Sequence, residues 1–122
     1  MPDKTWGRKG ITDMTVTELA TGCGFKEIAL PDPERVVDGV YIGDLLSWVM
    51  GRANADCAWI TIMSNVNVIA VASLSDAACV ILAEGVIPDG EITELARAKG
   101  INLISSQQPT YETAVLLSEI LK

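Results

Sequence analysis

The sequence predicts a single α/β domain, a mostly parallel, open sheet of about five strands with helices on both faces. Three observations carry that expectation. Two β-branched apolar runs, residues 58–63 (AWITIM) and 78–83 (ACVILA), lie about fifteen residues apart, too far for a tight hairpin and right for a parallel crossover. Both runs are continuously apolar instead of alternating, as strands covered on both faces are. From about Val36 to Leu121, strand and helix patterns alternate in at least four units with no repeat or interdomain linker between them.

The elements follow in order. Residues 1–13 mix charge with two glycines and show no period, so they read as a flexible arm, with Trp6 expected to pack on its own domain or on a neighbour; the domain proper runs over 14–122. Thr15-Val16-Thr17-Glu18 is a capping box that opens a short helix ending near Thr21 or Gly22, with Gly24 suited to the left-handed stop. Residues 25–30 form a strand that Lys26 and Glu27 confine to an edge, and Pro31-Asp32-Pro33 ends it. Val36-Val37 and Val40-Tyr41-Ile42 bracket Asp38-Gly39, either a bulge in one strand or a turn between two. Leu45, Leu46, Val49 and Met50 share one helical face, with Asp44 near its start as a cap and residues 51–56 (GRANAD) as loop.

The central crossover then places a polar turn, Ser64-Asn65-Val66-Asn67, and a short apolar helix to about Ser75 between the two buried strands. Residues 91–99 are helical, acidic at the start and basic at the end, with Gly100 as the stop. Residues 101–105 are a short strand. Pro109 suits the first position of a last helix, in which Ala114, Leu117 and Leu121 align on one face.

Composition excludes several classes of function. Nine Lys and Arg against sixteen Asp and Glu give a net charge of −7, which opposes nucleic acid and anionic membranes as partners. No His is present, which removes the commonest general base and zinc ligand. Cys23, Cys57 and Cys79 are odd in number, far apart and set among small apolar residues, so they read as buried thiols of a cytoplasmic protein, neither metal ligands nor nucleophiles. No apolar run reaches the ~18 residues of a membrane span, and the polar beginning MPDKTWGRKG reads as no signal peptide.

The sequence lacks the P-loop pattern GxxxxGK followed by Ser or Thr, the dinucleotide fingerprint GxGxxG, and the nucleophile elbow GxSxG. Gly22-Cys23-Gly24 closes a helix where a fingerprint would open one. Small polar groups remain at the predicted C-terminal ends of strands: Ser64, Asn65 and Asn67, then Glu84 and Gly85, then Ser105, Ser106, Gln107 and Thr110. Such groups at helix N-termini hold anions or nucleotide edges, and the same residue types are the preferred helix caps. With Asp44, the candidate ligand-binding set is Asp44, Ser64, Asn65, Asn67, Glu84, Gly85 and Thr110. Asp44 and Glu84 are the acid-base candidates, but neither has a predicted charged partner to tune it, so no catalysis and no cofactor or metal is expected.

The order of segments VYIGDLLS (40–47), AWITI (58–62), NVIAVA (67–72), VILAEGVIP (80–88) and PTYETA (109–114) resembles the DRTGG domain family, over roughly residues 15–121. The resemblance implies an α/β fold, similar to the non-catalytic N-terminal domain of HPr kinase/phosphorylases, and a regulatory or interaction module at a dimer interface. Relatives occur beside CBS-domain pyrophosphatases, before some phosphate acetyltransferases, and alone. Two places depart from the family's name-giving motif: Asn65-Val66-Asn67 stands where Asp-Arg is expected, and Ala83-Glu84-Gly85 where Thr-Gly-Gly is usual. The first removes an Arg that meets phosphate, and the second adds an anion nearby. The expected function is therefore a non-catalytic regulatory or protein-interaction module, homodimeric, since hydrophobic content this high in so short a chain, with Trp48, Trp59 and Tyr111 to place, leaves some apolar surface for a dimer to cover. The alternative is a sensor of a nucleotide or phosphorylated metabolite, with Asn65, Asn67 and Gly85 in contact.

Overall fold

The structure, a computed structural model, describes residues 13–121, so Trp6 and the expected arm lie outside the described residues except for Asp13. The elements are β1 (Met14–Thr15), α1 (Val16–Cys23), β2 (Lys26–Ala29), β3 (Val36–Val37), β4 (Val40–Ile42), α2 (Leu46–Arg52), β5 (Ala58–Thr61), α3 (Val66–Leu74), β6 (Cys79–Leu82), α4 (Gly90–Lys99), β7 (Leu103–Ser105) and α5 (Thr110–Ile120). The main sheet has five strands in the order β2-β7-β6-β5-β4, and β1 pairs with β3 in a small separate sheet. The two central runs lie side by side and parallel, with Ala58 opposite Cys79 and Thr61 opposite Leu82. Within the main sheet only β2 runs antiparallel to its neighbour, and its register shifts between Glu27 and Ala29.

The monotonic order β4 to β7 explains the layering. Right-handed crossovers between successive parallel strands put every connecting helix on one face. Val49 of α2, Val68 and Ile69 of α3, and Ile92 and Ala96 of α4 accordingly share one core with Trp59, Val80, Leu82 and Leu103. The other face of the same strands, Ala58, Ile60, Cys79, Ile81 and Ile104, packs against Val16, Leu19 and Ala20 of α1 and Leu117 of α5. Continuous apolarity in β5 and β6 thus serves two cores at once, alternate residues going to each.

The N-terminal ends of the parallel strands are tied down by the segment that crosses beneath them from β2 to β4. Asn102 receives the Asp32 amide at 3.0 Å and donates to the Asp32 carbonyl at 2.8 Å and the Ala78 carbonyl at 2.9 Å. Arg35 donates to the Asp56 carboxylate at 2.8 Å and to the Asp76 carboxylate at 2.8 Å and carbonyl at 2.7 Å. Asp56 and Asp76 hold left-handed backbone (φ 67° and 57°) in the turns that lead into β5 and β6.

Several sequence expectations change in detail. Asp38-Gly39 separates two strands that belong to different sheets, with Gly39 at φ 94° making the bend. Helix α2 begins later than predicted and runs on through Gly51 to Arg52, whose guanidinium stacks over Trp48 at 3.7 Å. Pro109 is the N-cap of α5 and not its first residue. Cys57 and Cys79 are buried, but Cys23 is half-exposed.

The candidate rim at the C-terminal strand ends

Because β4 to β7 are parallel, their C-terminal ends and following loops meet on one rim. All seven candidate residues lie along it: Asp44 after β4, Ser64, Asn65 and Asn67 after β5, Glu84 and Gly85 after β6, and Thr110 after β7. Their roles divide by what each already holds.

Asp44 is not a helix cap, since Leu45 is the N-cap of α2 and no side chain caps that helix. Its carboxylate instead reaches sideways to β5, accepting from the Thr61 hydroxyl at 2.6 Å and the Ile62 amide at 3.0 Å. The reason is positional: β5 ends with an amide turned toward the β4 loop, and a short acidic side chain there satisfies it. Next to it, the Trp59 indole donates to the Gly43 carbonyl at 2.8 Å, so the β4 and β5 ends are fastened twice.

Asn65 is the N-cap of α3, its side chain accepting from the Asn67 amide at 2.9 Å. The side chains of Ser64 and Asn67 make no hydrogen bond among the described residues. Asn67 is exposed, at the start of a helix with no acidic residue in its first turn.

The β6 and β7 ends are the most tightly knit part of the rim. The Glu84 amide donates to the Gln108 carbonyl and the Gly85 amide to the Ser106 carbonyl, each at 2.8 Å. The Glu84 carboxylate accepts from the Thr110 amide at 2.9 Å, so an internal anion sits at the N-terminus of α5, where the helix dipole and free amides favour negative charge. Glu84 does this from left-handed backbone (φ 64°), followed by Gly85 at φ 73°. Ser105 and Ser106, also expected on the rim, are buried: Ser105 donates to the Val86 carbonyl at 2.9 Å, and Ser106 shares a 2.7 Å hydrogen bond with Thr113.

At this point of the sheet the chain also changes sides. The connection from β6 leads to α4 on one face and that from β7 to α5 on the other, the arrangement in which open α/β sheets form ligand crevices. Here the crevice is crossed by the backbone bonds between the two loops. Just outside it, along α5, lies an open depression of about 320 Å³ lined by Gln108, Tyr111, Glu112, Val115 and Leu116. No cluster of three or more metal-ligating side chains occurs among the described residues.

What sequence reasoning missed were Arg35 and Asn102, which organise the opposite end of the strands. Arg35 carried one available signal, as the lone cation between Pro33 and Arg52, in a stretch with two aspartates. Asn102 carried one too, as a single polar residue within an apolar strand run.

Comparison with known proteins bears on the family and the fold. The DRTGG domain matches residues 33–120 of this chain. No curated protein matches it. Among solved structures, a similar fold is found in the CBS and DRTGG domains of the regulatory region of Clostridium perfringens pyrophosphatase, complexed with the activator diadenosine tetraphosphate. The two share 16% identity with a TM-score of 0.69, over 84% of this chain and 44% of that one. The likeness is one of fold, and this chain spans less than half the length of the other.

Proposed function

The chain belongs to the DRTGG domain family, and from that footing we propose that it is a non-catalytic regulatory module that acts by binding protein, as a homodimer, in a reducing cytoplasm. The observation that carries this reading is the disposition of its two rim carboxylates. Asp44 is bonded to Thr61 and Ile62 of the sheet, and Glu84 to Thr110 of α5. Both are engaged in holding strand ends in place, which leaves neither poised to exchange a proton with a substrate. The exposed surface, by contrast, is rich in large apolar side chains, among them Leu45, Trp48, Met50, Leu74 and Tyr111. Such surface is covered by partners. The three cysteines are free, which suits a reducing compartment.

Light scattering on the purified chain tests the homodimer. A mass of twice 13.0 kDa is expected, and a single 13.0 kDa species at high concentration would sink it.

One observation favours a second reading, a small-molecule sensor. The crevice between the β6 and β7 loops lies where α4 and α5 part to opposite faces, and the pyrophosphatase regulatory region of similar fold is complexed with a dinucleotide. Asn65, Asn67 and Gly85 would line the approach, with Asp44, Ser64, Glu84 and Thr110 behind them. A thermal-shift panel of nucleotides and phosphorylated metabolites separates the readings. A ligand at about 100 times its Kd stabilises by about 2.7 kcal/mol, a rise in Tm of roughly 10 °C for a domain of this size. A flat panel counts against the sensor.

A further inference from the structure

We propose that β4 is the seam of the homodimer: two copies join edge to edge and antiparallel, about a two-fold axis through Tyr41, so that their sheets become continuous. This rests on the homodimeric reading above and assigns it a surface.

The two edges of the sheet are built differently. β2 carries exposed Lys26 and Glu27 and a register irregularity, features that discourage pairing with another chain. β4, the sequence Val-Tyr-Ile, carries none of them, and Val40 and Ile42 are 40% and 49% exposed. Its backbone is also open. The Gly39 carbonyl accepts from the Ala58 amide and the Gly43 amide donates to the Ile60 carbonyl, so residues 39, 41 and 43 turn their polar groups toward β5. The alternate residues, Val40 and Ile42, turn theirs outward, with no partner among the described residues.

Those two residues are symmetric about Tyr41. In an antiparallel pair, Val40 of each copy falls opposite Ile42 of the other and exchanges both backbone bonds, with the two Tyr41 residues at the axis between them.

Charge argues that the occupant is a second copy and not a foreign chain. Helix α2 returns over the face of the sheet where Val49 and Leu46 pack with Tyr41 and Trp59, with Asp44 just before its start and Arg52, its one cation, at its end. The two-fold axis sets the start of one α2 beside the end of the other. Each Asp44, whose bonds to Thr61 and Ile62 both fall on Oδ1, then meets an Arg52 through Oδ2, and the exposed Leu45 and Trp48, 56% and 51% accessible, lie between these charges. For a chain of net charge −7, whose copies repel at a distance, a pairing that matches its few cations to acids is favoured.

The test combines light scattering with concentration-dependent amide hydrogen exchange on the whole chain, wild type and Ile42→Lys, with circular dichroism to confirm folding. The expected result is a wild-type dimer, dissociation at least about tenfold easier in Ile42→Lys, and protection of the Val40 and Ile42 amides that grows with concentration while that of Tyr41 does not. Arg52→Glu, away from the strand, should weaken the dimer as well. A folded Ile42→Lys that dimerises as wild type overturns the seam and leaves the homodimer standing. A wild type monomeric at every concentration overturns the homodimer itself. Protected Val40 and Ile42 amides in a monomer would mean that the edge is covered from within one chain, and overturn the seam too.

Discussion

Arg35 joins three parts of the chain that are far apart in sequence, and the physics of its site says how much that matters. Burial opposes its charge, but hydrogen bonds and ion pairs to Asp56 and Asp76 outweigh burial and hold the guanidinium above its ordinary range. Because an arginine stays charged in the unfolded chain too, the contribution is constant at every pH where the protein is handled. Nη2 alone touches both carboxylates and the Asp76 carbonyl, while Nε adds a second bond to Asp56, a rigid donor set that a flexible ammonium lacks, so Arg35→Lys should behave much like Arg35→Ala. Each is expected to lower stability by about 1–2 kcal/mol, read as a shift in urea midpoint. A Lys variant of wild-type stability would show that charge alone suffices. Glu84 offers a sharper test. Its left-handed backbone costs about 1 kcal/mol relative to glycine, and its carboxylate returns about as much by capping α5. Glu84→Gly loses both and should leave stability within about 0.5 kcal/mol of wild type, whereas Glu84→Ala keeps the strain, loses the cap, and should cost about 1 kcal/mol. Equal effects of the two substitutions would refute this division.

At the scale of elements, the helix ends were the best-written parts of the sequence. The Thr15 hydroxyl accepts the Glu18 amide at 3.1 Å while the Thr15 amide donates to the Glu18 carboxylate at 3.0 Å, as the four-residue pattern implies, and Gly24 and Gly100 close α1 and α4 in the left-handed region. Those signals are legible because a cap is satisfied by its own neighbours. The limits of α2 were not legible, because that helix has no side-chain cap and is extended through Gly51 by packing and by the Arg52–Trp48 stack. β1 and β3, two residues each, exist only because they meet each other, and no local pattern announces such a pair. α5 rests on the sheet chiefly through fully buried Leu117. Leu117→Ala should cost 2–5 kcal/mol, with the larger values if the α1–α5 layer cannot collapse onto the space. Calorimetry that shows less than about 1 kcal/mol would mean that α5 is held mainly at its capped end.

For the whole molecule, the parallel sheet and its two helical layers follow from continuous apolar runs at crossover spacing, so the architecture was readable before any coordinates. The rim was readable only as an address: spacing put Asp44, Asn65 and Glu84 at strand ends, but not which backbone group each would satisfy. That depends on how neighbouring loops approach, a property of the sheet and not of any segment. Stability as a function of pH also belongs to this scale. Burial raises the Cys57 and Cys79 thiols above the ordinary range, and Cys23 in the same direction. The unfolded chain therefore gives up these protons first, and stability, level below about pH 8.5, should decline as pH rises through 9 and 10. Urea titrations across that window should show the slope, and Cys79→Ala should flatten it whatever its own cost; a slope unchanged in that variant would trace the decline to other groups. One further consequence comes from the unequal treatment of the two ends of the strands. With Arg35 and Asn102 suturing the lower ends, the side-by-side order of β4 to β7 does not depend on what the upper loops contain. Segments grafted between β5 and α3 should be accepted without refolding of the rest, which makes this small acidic domain a chassis on which new recognition can be installed.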